Sequence, residues 1–255
     1  MYKKKVSYLL HSLTSFVLML ISQRLLAIFA SDLFETDYLN TLFIFLVSSV
    51  VAVVSFRFMP NDITPDDTEE IPDPVPPMIK RDTVTSILCT VIAFCSIILL
   101  MHIVGAFLGS DGRPPYTFSP MYFISLVIIH PIVEEFVFRR LYHSELRLLT
   151  PLFAVVAQAT MFALNHSTVQ TMFTALFSGI VLGLLIENTG RWYLCVITHS
   201  CVNLRTLIYT ILLADNSPAA QYTDFVFYSI GILSLVLLVV YLSNSKAVKS
   251  EDKAE

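Results

Sequence analysis

The chain has 255 residues, of which 55% are hydrophobic and 14% are charged, and its formal net charge is −4. Soluble globular proteins carry about a quarter charged residues, so this composition excludes an ordinary soluble domain. No basic patch with interleaved aromatic residues occurs, and we therefore expect no nucleic-acid partner.

The apolar residues are grouped into long runs, and a helix needs about 20 of them to cross a bilayer. We expect eight spans, at 6–30, 40–59, 84–108, 120–138, 151–166, 169–186, 192–213 and 223–242. The predicted fold class is therefore all-α, a polytopic membrane helix bundle of about eight transmembrane helices.

The predicted organisation has four parts. Two N-terminal transmembrane helices occupy 1–59, and an acidic, proline-rich linker follows at 60–83. A membrane-embedded core occupies 84–242, and a charged C-terminal tail occupies 243–255. Because the linker and the tail lack apolar runs, we expect both to be solvated and mobile rather than packed.

Lysine and arginine residues near the span ends predict the orientation, because cytoplasmic loops are enriched in them. Lys3, Lys4 and Lys5 precede the first span and predict a cytoplasmic N-terminus. Eight spans return the C-terminus to the same side. The cytoplasmic side then also receives Arg57, Lys80, Arg81, Arg139, Arg140, Arg147, Arg191, Lys246 and Lys249, whereas the opposite loops contain only Arg113.

Small residues within the spans are interpreted as packing residues. Gly179-xxx-Gly183 in the sixth span would let a neighbouring helix approach closely. The four cysteines form no CxxC pair, so disulfides and a thiolate zinc site are not expected. They are Cys89, Cys95, Cys195 and Cys201.

The fourth span contains two adjacent glutamates, and ionisable residues inside spans are candidates for function. Glu135 and Arg139 are four residues apart in the order that favours an ion pair on one helix face. Glu134 lies about 100° away around the helix and is left free for chemistry. Pro131 removes a backbone donor and is expected to kink the helix. The alternative is that these groups merely mark the cytoplasmic interface.

Two further spans carry polar residues that could join this pair. The fifth span ends at His166, and the seventh holds His199 and Asn203 four residues apart on one face. Both sets of residues also have a structural explanation. The hydrogen-bonding groups of a histidine at a helix end, or of a His/Asn pair on one face, can be satisfied by neighbouring residues without any role in chemistry.

The depths of these residues agree. The fourth and fifth spans are expected to be antiparallel, with the turn between Leu148 and Pro151. At 1.5 Å per residue, Glu134 and His166 each lie about 21–23 Å from that turn, so they are nearly level. We therefore expect these groups, together with His199, to meet in one layer beneath the cytoplasmic surface.

These residues resemble the signatures of the CPBP family, the CAAX protease and bacteriocin-processing membrane proteins. The three signatures EExxxR, FxxxH and HxxxN occur here in order, each in an apolar span. They are Glu134-Glu135-xxx-Arg139, Phe162-xxx-His166 and His199-xxx-Asn203.

The resemblance implies peptide-bond hydrolysis inside or at the edge of the membrane. It suggests Glu134 as a general base that activates water, assisted by His166. His199 and Asn203 would hold the tetrahedral oxyanion, with the Glu135–Arg139 pair as a structural support. The implied partners are the lipid bilayer and a peptide or lipidated-protein substrate.

The need for a metal is left open by the sequence. Glu134, His166 and His199 could bind zinc, with a water at the fourth position. No carboxylate partner for either histidine is evident, and an HExxH motif is absent. We therefore favour a mechanism without a metal cofactor.

Three other functions were weighed. A non-catalytic scaffold or bacteriocin-immunity protein could keep the motif residues for packing, and a proton-coupled transporter could use the same Glu and His residues as a relay. No obvious inverted repeat supports the transporter. Among other proteases, an aspartyl dyad is excluded because no apolar span contains an aspartate, and Ser178-Gly179 lacks the sequence context of a rhomboid-like nucleophile.

Overall fold

The computed structural model describes residues 2–30, 33–34, 37–59, 83–109, 119–214 and 219–251. Within these ranges the secondary structure consists of eight helices and no strands, which confirms the all-α fold class. The helices are α1 (Tyr2–Phe29), α2 (Asp37–Phe58), α3 (Thr83–Leu108), α4 (Pro120–Leu146), α5 (Pro151–Leu164), α6 (Val169–Thr189), α7 (Trp192–Ala214) and α8 (Ala219–Glu251).

Six of the helices are long and apolar enough to cross a membrane, and the protein is an integral membrane protein. The fifth predicted span, 151–166, corresponds to α5, which has 14 residues and is not one of these six. Such a helix is about 21 Å long, whereas the hydrocarbon core is about 30 Å thick. It begins at Pro151, capped by the side chain of Thr150, and ends before Asn165. In α8 the described apolar part is also short, Phe225–Val240.

The predicted boundaries outside the core differ from the structure at one place. Helix α8 does not end near 242 but continues to Glu251, so the predicted tail begins inside a helix. The linker predicted at 60–83 lies outside the described residues except for Thr83, the first residue of α3.

Helix α4 is irregular. An α-helical segment, His130–Glu135, lies between two π-helical segments, Ser125–Ile129 and Phe136–His143. Such segments are rare, and they are frequent at functional sites. Pro131, at which we predicted a kink, is the second residue after the first of them. The glutamate pair therefore lies on a short regular segment whose ends are both distorted.

Helices α5 and α6 pack closely because two glycines of α6 face α5. A Cβ atom on Gly179 would lie 2.9 Å from the backbone of Ala159, and one on Gly183 would lie 2.7 Å from Nε2 of Gln158. The Gln158 amide also donates to the carbonyl of Gly179, at 2.8 Å. The close approach predicted from the glycine spacing is confirmed.

Helix α1 is joined to the end of α4 by a buried polar cluster that the sequence analysis did not find. Nδ1 of His11 lies 2.7 and 2.9 Å from the two carboxylate oxygens of Glu145, and the hydroxyl of Ser12 donates to the same carboxylate. The start of α1 therefore lies on the same side of the bundle as the end of α4. This agrees with the distribution of basic residues, although the cytoplasmic assignment remains a prediction.

Candidate active site

The predicted ion pair of the EExxxR motif is present. Nε of Arg139 lies 3.0 Å from Oε2 of Glu135, and both side chains are fully buried. Neither atom reaches hydrogen-bond geometry, so the contact is electrostatic rather than an aligned hydrogen bond. The guanidinium carbon also lies 4.7 Å from the centre of the Phe162 ring. Arg139 thus connects the first motif to the phenylalanine of the second.

His199 lies against both glutamates of the first motif. Its Nδ1 is 2.9 Å from Oε1 of Glu135, and its Nε2 is 3.7 Å from Oε2 of Glu134. An ionised carboxylate can only accept hydrogen bonds, so the Nδ1 atom carries a proton. The sequence analysis found no carboxylate partner for either histidine, and for His199 that was wrong, because Glu135 is its partner. The two residues are 64 positions apart, and no local spacing signals the contact.

His166 is held at the end of α5 by its own helix. Its Nδ1 donates to the carbonyl of Phe162, at 2.8 Å. That carbonyl belongs to the last turn of α5, where helix carbonyls have no intrahelical donor. Because the proton of the neutral ring is used at Nδ1, the Nε2 atom carries a lone pair that can accept a hydrogen bond.

Asn203 compensates for the irregularity of α4. In the first π-helical segment the N–H of His130 bonds to the carbonyl of Ser125, five residues earlier. By the same register, the carbonyl of Leu126 would face the nitrogen of Pro131, which has no hydrogen. The amide of Asn203 donates to this carbonyl, at 2.9 Å. The side chain of Asn203 therefore finds a hydrogen-bond partner on another helix, α4.

A cavity of about 340 Å³ lies between α3, α5, α6 and α7. His166, His199 and Asn203 all contribute to its wall, so the second and third motifs face one space. The remaining wall is partly polar and partly apolar, and its residues are Ile97, Met101, Phe162, Gln170, Thr171, Thr174, Ala175, Ser178, Leu182, Val202 and Thr206.

The first motif reaches this cavity through two wall residues, His199, which contacts both glutamates, and Phe162, which packs against Arg139. Glu134 is not part of the cavity wall, and within the described ranges it forms no hydrogen bond or ion pair with His166. The ring of Phe162 lies beside both histidines, with its centre 5.0 Å from that of His166 and 6.0 Å from that of His199. The predicted layer thus forms around His199, while Glu134 and His166 do not touch directly.

The side chains suggested as zinc ligands are Glu134, His166 and His199. In the part of the chain that the structure describes, no group of three His, Cys, Asp or Glu side chains is arranged to hold a metal ion. The imidazole of His199 is engaged by glutamates at both ring nitrogens. This geometry does not form a ready three-ligand site.

A second polar cluster lies where α4 and α6 end, and the sequence analysis missed it. Oε1 of Glu187 is 2.8 Å from both Nε2 of His143 and Nε of Arg147. The sequence contained a signal for this cluster. Glu187 lies in the last turn of an apolar span, and His143 and Arg147, four residues apart, lie near the end of another.

Comparison with known proteins identifies the part of the chain that contains these motifs. Residues 116–205 match the family model described as Rce1-like, type II CAAX prenyl endopeptidase. This part of the chain is similar to an Rce1-like domain. It runs from just before α4 into α7 and includes all three motifs, so the suspected family is confirmed. No curated protein and no solved structure matches the chain.

Proposed function

We propose that the protein is an intramembrane endopeptidase that hydrolyses a peptide bond of a membrane-associated or lipidated peptide. The observation that carries this proposal is the shared cavity, whose wall contains His166, His199 and Asn203. The Rce1-like domain supports it, because its family is one of CAAX-type endopeptidases.

In the proposed reaction Glu134 takes a proton from a water molecule, and the water oxygen attacks the peptide carbonyl carbon. The lone pair on Nε2 of His166 would orient that water by accepting its other hydrogen. When the tetrahedral intermediate collapses, the C–N bond breaks and Glu134 returns its proton to the departing amine. The absence of a direct contact between Glu134 and His166 is compatible with this role, because the water would lie between them.

The developing oxyanion needs hydrogen-bond donors, and His199 and Asn203 are proposed to supply them. Asn203 has two amide hydrogens and uses one on the carbonyl of Leu126, so the other is available. His199 can donate from Nε2 only as an imidazolium, because its Nδ1 proton is directed to Glu135. With two carboxylates beside it, His199 can carry that second proton during the reaction.

The cavity suits an amphipathic substrate. Ile97, Met101 and Val202 form an apolar part of the wall, and Thr174 and Ser178 add hydroxyl groups. An extended peptide could place its backbone against the hydroxyls, and a lipid group could lie against the apolar part. The family description, a CAAX prenyl endopeptidase, makes a prenylated peptide the first substrate to test.

The decisive experiment compares Glu134→Gln with Glu145→Gln. Both glutamates lie on α4 and are nearly buried, but Glu145 is paired with His11 rather than His199. Purified variants are incubated with a farnesylated CAAX peptide and with its unprenylated form, and products are measured by mass spectrometry. We expect Glu134→Gln to abolish cleavage without unfolding the protein, and Glu145→Gln to retain it.

Retained cleavage by a folded Glu134→Gln variant would defeat the assignment. If neither peptide is cut by the wild type, membrane peptides from cells with the wild type and with Glu134→Gln should be compared, because they differ wherever a natural substrate exists. No difference in either assay would favour a non-catalytic scaffold or immunity protein.

The proposed mechanism needs no metal, and the alternative is a zinc ion held by Glu134, His166 and His199. Direct metal analysis of the purified protein, together with cleavage measured before and after treatment with a chelator, separates the two. Stoichiometric zinc, with activity lost on chelation and restored by zinc, would overturn the metal-free version.

A further inference from the structure

A second cavity, of about 200 Å³, lies beside the Glu187 cluster. It is formed by the last turns of α4 and α6 and the start of α7. Its wall includes Arg139, Arg140, Arg147, Glu187 and Trp192. A water molecule takes up about 30 Å³ in the liquid, so the space could hold a group of several heavy atoms. Nothing in the proposed hydrolysis uses this cavity.

The wall of this cavity contains buried donors that have no partner among the described residues. Nη1 and Nη2 of Arg139 and Nη2 of Arg147 are all buried and form no hydrogen bond. Arg139 is fully buried. Leaving a charged donor buried and unsatisfied is costly, so these atoms favour a bound acceptor.

The charges of the cavity favour an anion. Its three arginines carry three positive charges, and among the described residues the carboxylates of Glu135 and Glu187 pair with them. The oxygens of Glu187 are already engaged by His143 and Arg147. Guanidinium groups can only donate hydrogen bonds, and their planar array of N–H groups matches the oxygens of phosphate.

The position of the cavity suggests the source of the phosphate. Helices α4 and α6 end there, and each ends an apolar segment long enough to cross the membrane. Lipid headgroups lie at that level, and tryptophan, here Trp192, is enriched at the same interface. We propose that this cavity binds a phosphate group, supplied by a phospholipid headgroup, through Arg139, Arg140 and Arg147.

This site would be connected to the motif residues by Arg139. The same guanidinium lines the second cavity and pairs with Glu135, which holds Nδ1 of His199. A bound phosphate would satisfy the outer nitrogens of Arg139 and leave its Nε atom beside Glu135. The lipid would therefore hold the arginine in the position that the motif requires.

The test measures the thermal unfolding midpoint of the full-length protein in a non-ionic detergent. Three probes are titrated: a short-chain phosphatidic acid, inorganic phosphate, and a diacylglycerol with the same chains. We expect phosphatidic acid to raise the midpoint by several degrees, because ligands that bind the folded state stabilise it. Diacylglycerol should raise it much less. A response to inorganic phosphate as well would show that the phosphate group alone suffices.

Two variants and a control link the effect to the cavity. Arg140→Gln changes an exposed residue of the wall, and Arg147→Gln removes a buried donor. Each should weaken phosphatidic acid binding severalfold, because each removes a positively charged donor from the wall of the cavity, and the loss should be larger for Arg147→Gln, whose donor is buried. Arg57→Gln, at an exposed position near the end of α2, should leave it unchanged. Equal responses to phosphatidic acid and diacylglycerol, no response, or unchanged binding in Arg140→Gln would overturn the proposal.

Discussion

Two buried glutamates of helix α4, Glu135 and Glu145, each pair with a histidine of another helix, and the surroundings of the two pairs differ. Glu135 pairs with His199, whose ring forms part of the wall of the 340 Å³ cavity. Glu145 pairs with His11 at the interface with α1, and neither residue lines either of the two cavities described above. Both pairs have the same chemical groups at similar distances. Burial of an ionisable pair therefore does not by itself indicate catalysis, whereas an adjoining space for substrate does.

The largest expected difference is between His166, which lines the cavity, and His11, which does not. His166→Ala should reduce cleavage by about 10²–10⁴-fold, the range contributed by a positioned acid–base group. His11→Ala removes an equally polar ring outside the cavity and should change the turnover rate little. The measurement is the initial cleavage rate of each variant on the substrate identified with Glu134→Gln. Equal losses in both variants would show that a place at the cavity does not distinguish a catalytic histidine from a structural one.

Glu135→Gln should be the most destabilising of the glutamate substitutions. It leaves Arg139 buried without the carboxylate that pairs with it among the described residues, and breaking a buried ion pair costs about 3–5 kcal/mol. Glu145→Gln leaves a histidine and a serine that can still bond to the amide, so about 1–3 kcal/mol is expected. Denaturant unfolding in mixed micelles measures both variants. A smaller loss for Glu135→Gln than for Glu145→Gln would contradict the proposed supporting role.

The smallest effect tests the contact between α7 and α4. Asn203→Ala removes the donor to the carbonyl of Leu126 and should cost about 1–2 kcal/mol. In a Pro131→Ala background the backbone gains an N–H that can reach this carbonyl, so the same substitution should cost less. A double-mutant cycle on unfolding free energies measures this coupling. Additive effects would show that Asn203 does not compensate for the proline.

The sequence predicted the parts of the site that depend on local spacing. The pairing of Glu135 with Arg139 follows from their separation by four residues, and the helices follow from the apolar runs. The shortness of α5 was also readable, because Thr150-Pro151 is a helix start and Asn165 a helix end. The predicted span, 151–166, began at the first of these signals and extended past the second to His166.

The parts that escaped prediction depend on contacts between distant segments. Glu135 meets His199 across 64 residues, and His11 meets Glu145 across 134. Such pairs have no local pattern, since they depend on how helices lie against each other. The bond from Asn203 to Leu126 is similar, because it exists only after Pro131 has left a carbonyl without its donor.

The two π-helical segments of α4 make its tolerance of deletions depend on where a residue is removed. A π-helical turn contains about one residue more than an α-helical turn. Deleting one residue from 125–129 would let the backbone return to the regular α-helix and would keep Glu134 on nearly the same face. Deleting one residue from the regular segment 120–124 would instead turn Glu134 about 100° relative to the start of α4, although every motif residue was still present. A single-codon deletion should therefore be more harmful in the regular part of this helix than in its π-helical part.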